Sequence, residues 1–178
     1  MYAPLYISNE CIDVCKYCGF SLENKIARKT LSSDEVIQEA NFLLQAGFRH
    51  LLLVSGEHPR IVSPKYLKEI AAELKPKLAS LSIEVAPFAE ENYRELASAG
   101  VDGVVIYQET YDRNRYQEIH LAGPKKSYER RLLAPENAAR AGMRRIGMGI
   151  LVGLSDWRED LKQLIRHVRE MRKKYWQT

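Results

Sequence analysis

Three cysteines fall within eight residues, in the order Cys11-Ile-Asp-Val-Cys15-Lys-Tyr-Cys18, and the chain has no others. Thiolates are the preferred ligands of iron–sulfur clusters, and a short loop with C-x3-C-x2-C spacing can aim three of them at one object. Three ligands on a four-iron cluster leave one iron open. An open position does chemistry, because another molecule can bind there. A disulfide would pair two of the cysteines and strand the third. A structural zinc site takes four ligands, usually as two separated pairs, and no second pair exists here. His50, His58, His120 and His167 are scattered, without ligand spacing. Zinc and chance clustering remain as the competing readings.

A loop of this kind needs a frame, and the rest of the chain reads as one. Ala3 to Ser8 forms a strand that feeds the cysteines, and a polar, basic loop follows from Ser21 to Thr30. Ser32-Ser33-Asp34-Glu35 is a capping box. It opens a helix with Val36, Ile37, Ala40, Leu43 and Leu44 on one face and Gly47 at its end. His50 to Val54 is a continuous apolar run of the kind found in strands buried on both faces.

The alternation then repeats. Helices are expected over Pro64–Leu78, Ala89–Ala99 and from Trp157 to about Tyr175. Strands are expected over Leu81–Ala86, Gly103–Tyr107 and Arg145–Val152, with a partly helical stretch from Tyr111 to Ala141, broken at Gly123-Pro124. Strand–helix alternation with short, glycine-ended connections predicts an α/β fold: a parallel sheet of about five strands with right-handed crossovers. In such folds the site lies at the carboxyl ends of the strands. The segments that should meet there are the cysteines, Ser55-Gly56-Glu57-His58, Pro87-Phe88, Gln108-Glu109-Thr110-Tyr111 and the turn near Gly153.

Five strands do not close a (β/α)8 barrel, which takes ~250 residues. A single domain over residues 1–178 is therefore expected to be the core of a longer enzyme, cut at both ends. A net charge of +4 spread along the chain gives no case for nucleic acid. No apolar run approaches the ~18–20 residues of a membrane span. The reduced thiols and the lack of a signal-peptide pattern predict a cytoplasmic location.

The cysteine loop, with Tyr17 as the aromatic in C-x3-C-x-aromatic-C, resembles the signature of the radical S-adenosylmethionine (SAM) enzymes. That resemblance implies a partial TIM-type (β/α) barrel and a [4Fe–4S] cluster on Cys11, Cys15 and Cys18. It also implies SAM chelating the fourth iron through its amino and carboxylate groups. Ser55, Gly56 and Glu57 resemble the glycine–glutamate segment that holds the methionyl ammonium in this superfamily. Glu109 would contact the ribose or amino group of the cofactor, and Arg131 matches an arginine that pairs with its carboxylate. Tyr17, Ile150 and Val152 would line the adenine pocket, although apolar strand residues are more often core.

Six segments in order sharpen the likeness: Leu5-Tyr-Ile-Ser-Asn9, Tyr17-Cys-Gly-Phe20, Asn24-Lys-Ile-Ala-Arg28, Leu51-Leu-Leu-Val-Ser-Gly-Glu-His58, Tyr107-Gln-Glu-Thr-Tyr111 and Gly149-Ile-Leu-Val-Gly-Leu-Ser-Asp156. Together they resemble the 2-iminoacetate synthase family, the tyrosine lyases of thiamine thiazole synthesis. The resemblance implies that a 5′-deoxyadenosyl radical takes hydrogen from the amino group of L-tyrosine. The Cα–Cβ bond then breaks to give 2-iminoacetate (dehydroglycine) and p-cresol. It also implies a flavodoxin- or ferredoxin-type reductant and transfer of the imine to a thiazole synthase subunit. The alternatives are the related tyrosine lyase of [FeFe]-hydrogenase maturation and a non-catalytic iron–sulfur or zinc module.

Overall fold

The computed structural model describes residues 2–177. In chain order the elements are β1 (Ala3–Ser8), β2 (Val14–Cys15), α1 (Ser33–Gln45), β3 (His50–Ser55), α2 (Pro64–Leu74), β4 (Ser80–Glu84), α3 (Glu90–Ser98), β5 (Gly103–Glu109), α4 (Arg113–Ile119), β6 (His120–Ala122), α5 (Tyr128–Arg140), β7 (Arg145–Ile150) and α6 (Trp157–Lys174), with 3-10 turns at Lys75–Lys77 and Pro124–Lys126. β1, β3, β4, β5 and β7 form one sheet in that spatial order, and every pairing is parallel.

One face of this sheet carries the core. Leu5, Leu53, Ile83, Val104 and Ile106 pack there against Val36 and Ala40 of α1, Leu67 and Ile70 of α2, Tyr93 and Leu96 of α3, and Ala134 and Ala138 of α5. Helices from four crossovers thus cover the same face. A doubly wound sheet would distribute them over both faces, whereas a barrel wall keeps them outside. The expected partial barrel is what forms. Across the other face the register aligns Tyr6, Val54 and Glu84. Val105 and Gly147, one step past the Ile83–Val104 pair, continue the row.

Local chemistry explains most boundaries. The Ser32 hydroxyl accepts the Glu35 N–H while Glu35 accepts the Ser32 N–H, so both halves of the capping box form at α1. Helix α2 ends at Leu74 rather than running to Leu78: Pro76 has no N–H to continue the ladder, and the chain tightens into a 3-10 turn. The fourth crossover holds what periodicity did not show. The stretch after β5 contains β6, which pairs antiparallel with the two-residue β2 inside the cysteine loop.

At the amino ends of the strands, Asp102 ties three elements together. Its carboxylate accepts from Lys75 Nζ at 2.7 Å and from the Leu81 N–H at 2.9 Å, and its carbonyl accepts the Arg145 N–H. Burial alone would raise its pKa, but Lys75 and the Leu81 amide outweigh burial and hold it below the ordinary aspartate value. A group with a depressed folded pKa contributes stability above its unfolded pKa of ~3.9 and loses it as pH falls through the folded value. Asp102→Ala is expected to cost about 1–3 kcal/mol near neutrality. Urea unfolding at a series of pH values should show the gap to wild type closing only below about pH 3.9.

Among the described residues, no helix is long and apolar enough to cross a membrane.

Candidate active site

The cysteine loop leaves β1 and is fixed from several sides. Arg28 donates to the carbonyls of Asn9, Phe20 and Ser21 at 2.6–2.9 Å, bracketing the loop's two ends. The Cys15 N–H donates to Ser21 Oγ at 3.0 Å and the Ile12 N–H to the Glu57 carbonyl at 3.1 Å. Gly56 makes the second of these contacts possible. A Cβ there would collide with the Glu10 carbonyl oxygen and stand 3.2 Å from Cys11 Cβ. Glycine alone lets the β3 turn lie against the loop.

A cavity of about 200 Å3 opens at the carboxyl ends of the strands, and the side chains expected from the sequence converge on it. Cys11, Cys15, Cys18, Tyr17, Ser55, Gly56, Glu57, Glu109 and Arg131 all line it. Ile150 and Val152 are not among its lining residues. Ile150 ends β7 opposite Glu109, and Val152 is 69% exposed in the turn beyond. Arg130, the neighbour most easily confused with Arg131, points instead to the Pro87 carbonyl.

Four charges meet inside the cavity. Arg131 Nη1 is 2.5 Å from Glu57 Oε1 and its Nη2 is 3.7 Å from Glu109 Oε1, while its Nε donates to the Tyr107 carbonyl at 2.6 Å. Lys125 Nζ lies 2.8 Å from Glu109 Oε1 and 3.3 Å from Glu57 Oε1. Burial disfavours the charge on Glu57, yet Arg131 and Lys125 prevail and hold its pKa below the usual carboxylate range. Lys125 is likewise opposed by burial and by Arg131, and is nonetheless pushed above an ordinary lysine by the two glutamates.

Glu109 adopts φ 72°. A non-glycine residue in this region costs on the order of 1–3 kcal/mol and persists only where its surroundings over-determine it. Here Leu151 donates its N–H to the Glu109 carbonyl. The following turn is clamped by the buried Asp160, which accepts from Thr110 Oγ1 at 3.0 Å and the Tyr111 N–H at 2.7 Å, and from Ser155 Oγ.

Sequence reasoning missed Lys125, Asp13, His120 and Glu84. Asp13 is fully buried and its Oδ1 accepts the Lys125 N–H at 2.8 Å, which pins the lysine's segment to the cysteine loop. Gly123, at φ +83°, makes room for that approach, since a Cβ would strike Asp13. His120, also fully buried, has its Nδ1 2.8 Å from the Tyr116 carbonyl and its Nε2 2.9 Å from Tyr17 Oη. A carbonyl only accepts, so Nδ1 carries the proton and Tyr17 donates to Nε2. Burial pulls the His120 pKa down to about 4, which keeps the ring neutral. The C-x3-C-x-aromatic-C spacing identified Tyr17. Nothing in the sequence marked the histidine that holds it.

The thiols fit a cluster. The Asp13 N–H donates to Cys11 Sγ and the Phe20 N–H to Cys18 Sγ, each at 3.4 Å; such bonds to sulfur stabilise thiolates and tune cluster potentials. Burial pushes the Cys15 thiol up to about 12, and also raises Cys11. Metal ligation would therefore release their protons rather than find them already gone. Among the described residues no three His, Cys, Asp or Glu side chains are grouped to hold a single ion. A multi-iron cluster gives each thiolate its own iron and does not need them to meet at one point.

Residues 5–168 match the family described as the Radical SAM superfamily. The chain belongs to the radical SAM superfamily. Membership implies a [4Fe–4S] cluster and SAM as cofactors. The chain is 44% identical over 178 residues to the 2-iminoacetate synthase of Salmonella typhimurium, a match spanning 99% of this chain and 47% of that protein. The Escherichia coli 2-iminoacetate synthase matches with the same identity and coverage. The X-ray structure of the FeFe-hydrogenase maturase HydG from Carboxydothermus hydrogenoformans superposes with a TM-score of 0.92 at 36% identity, over 97% of this chain and 41% of that one. The chain thus spans about half the length of the curated relatives it matches. It shares the fold of the solved HydG over 97% of its length.

Proposed function

We propose that this chain carries the catalytic core of a radical SAM carbon–carbon lyase that cleaves L-tyrosine to 2-iminoacetate and p-cresol, for thiamine thiazole synthesis. The observation that carries the reading is the convergence of three cysteines, Glu57, Glu109 and Arg131 on one cavity, in a chain 44% identical to 2-iminoacetate synthases. HydG, a solved relative, is less similar at 36%, and the hydrogenase-maturation reading ranks second for that reason.

Cys11, Cys15 and Cys18 would hold the cluster, with SAM beside it. Once reduced by a flavodoxin- or ferredoxin-type partner, these cofactors supply the hydrogen-abstracting radical chemistry. The protein's part is to bind, orient and exclude water. Arg131 presents a planar fork suited to a carboxylate, with Lys125 beside it. Glu57 and Glu109 are placed for an ammonium, and Gly56 allows backbone to approach the ligand. Tyr17, held by His120, supplies a fixed aromatic wall next to the cysteines. The product imine hydrolyses readily, which favours direct delivery to a thiazole synthase subunit.

The test is anaerobic reconstitution with iron and sulfide, reduction, and incubation with SAM and L-tyrosine, read by chromatography. p-Cresol with 5′-deoxyadenosine is the expected result. 5′-Deoxyadenosine without p-cresol would reject tyrosine as substrate, and no iron uptake would reject the cluster on this chain.

A further inference from the structure

We infer that Glu84 binds the amino group of the substrate, a role that rests on the tyrosine-lyase reading above. Glu84 is the last residue of β4, and its side chain belongs to the face that the helices leave bare. Its register neighbours there are Tyr6 and Val54 on one side and Val105 and Gly147 on the other. It lines the same cavity as Glu109, Lys125 and Arg131. Among the described residues it makes no ion pair or hydrogen bond through its carboxylate, unlike Glu57 and Glu109, which share Arg131 and Lys125. The cations of the cavity are therefore already engaged. Burial, and then repulsion from Glu109, push the Glu84 pKa upward.

A carboxylate in that position, beside Val54 and Val105 in register, makes no ion pair of its own, and Arg131 and Lys125 act on it only from a distance. A ligand ammonium supplies a direct partner through a charge-assisted hydrogen bond. The phenol end of tyrosine is a neutral donor and offers much less. The count of groups agrees. The proposed reaction brings two amino-acid moieties to the cavity, one in SAM and one in tyrosine. Glu57 and Glu109, beside the cysteines, suit the first, which leaves Glu84 for the second.

The experiment compares wild type with the near-isosteric Glu84→Gln in the reconstituted chain. Calorimetric affinities would be measured for L-tyrosine, for 3-(4-hydroxyphenyl)propionate, which lacks the amino group, and for SAM. Wild type should prefer tyrosine over the desamino analogue by about 10- to 100-fold, and Glu84→Gln should lose that preference. Glu84→Asp should recover part of it. A preference that survives in Glu84→Gln overturns the inference while leaving the lyase reading intact. A Glu84→Gln protein that loses SAM affinity to the same extent assigns Glu84 to the cofactor, and also overturns it. A wild type that forms no p-cresol and does not bind tyrosine removes the lyase reading and this inference together.

Discussion

Replacing Arg131 with methionine is expected to destabilise the fold by about 3–5 kcal/mol, the cost of removing one partner from a buried ionic group. The guanidinium is buried, contacts both Glu57 and Glu109, and satisfies the Tyr107 carbonyl. Without it, Lys125 must serve two carboxylates alone and the carbonyl loses its donor. Arg131→Lys keeps the charge but loses the fork, so an intermediate loss is expected. Denaturant midpoints measure both. The double variant Glu57→Gln/Arg131→Met should be less destabilised than the two single losses added together, because each single change strands the other's charge. Additive losses would mean that the two residues do not act as a pair.

Cys15→Ala is expected to abolish cluster retention while leaving the chain folded. Cys15 sits in the middle of the three-thiol set, and with two thiolates a third iron has no protein ligand. Its backbone contacts, the N–H to Ser21 Oγ and the β2–β6 bridge to His120, do not require the sulfur. Stability should therefore change by only about 1 kcal/mol. After anaerobic reconstitution, iron and sulfide per chain and the visible absorbance should fall to background, and SAM cleavage with them. Wild-type iron content in Cys15→Ala would remove the cysteine loop as the cluster site.

Much of this was legible in the sequence because it is local or periodic. The C-x3-C-x2-C spacing sits in one loop, the capping box needs only Ser32 and Glu35, and a short apolar run such as Leu51-Leu-Leu-Val54, between helices in a strand–helix alternation, reads as an inner strand of a parallel sheet. Strand ends then pointed to Glu57 and Glu109, since side chains just past parallel strands share one mouth. Arg131 came from family likeness, because a helical arginine has no local mark separating it from Arg130.

The residues that were missed share a cause. Lys125 reaches the glutamates because Gly123 lets its segment close on Asp13, a contact between positions 112 residues apart. His120 reaches Tyr17 across 103 residues through the β2–β6 pairing, and a two-residue strand carries no periodicity to read. Glu84 looks like any polar strand end until register sets it beside Val54 and Val105, on the face opposite the helices. The sequence by itself determined the three-cysteine loop, the strand–helix order and the parallel sheet, because propensity and spacing act over a few residues. The tertiary structure alone decided which charges are buried together, which histidine fixes Tyr17 and which carboxylate is left without an ion pair. Those outcomes depend on long-range closure and register, which no local pattern encodes.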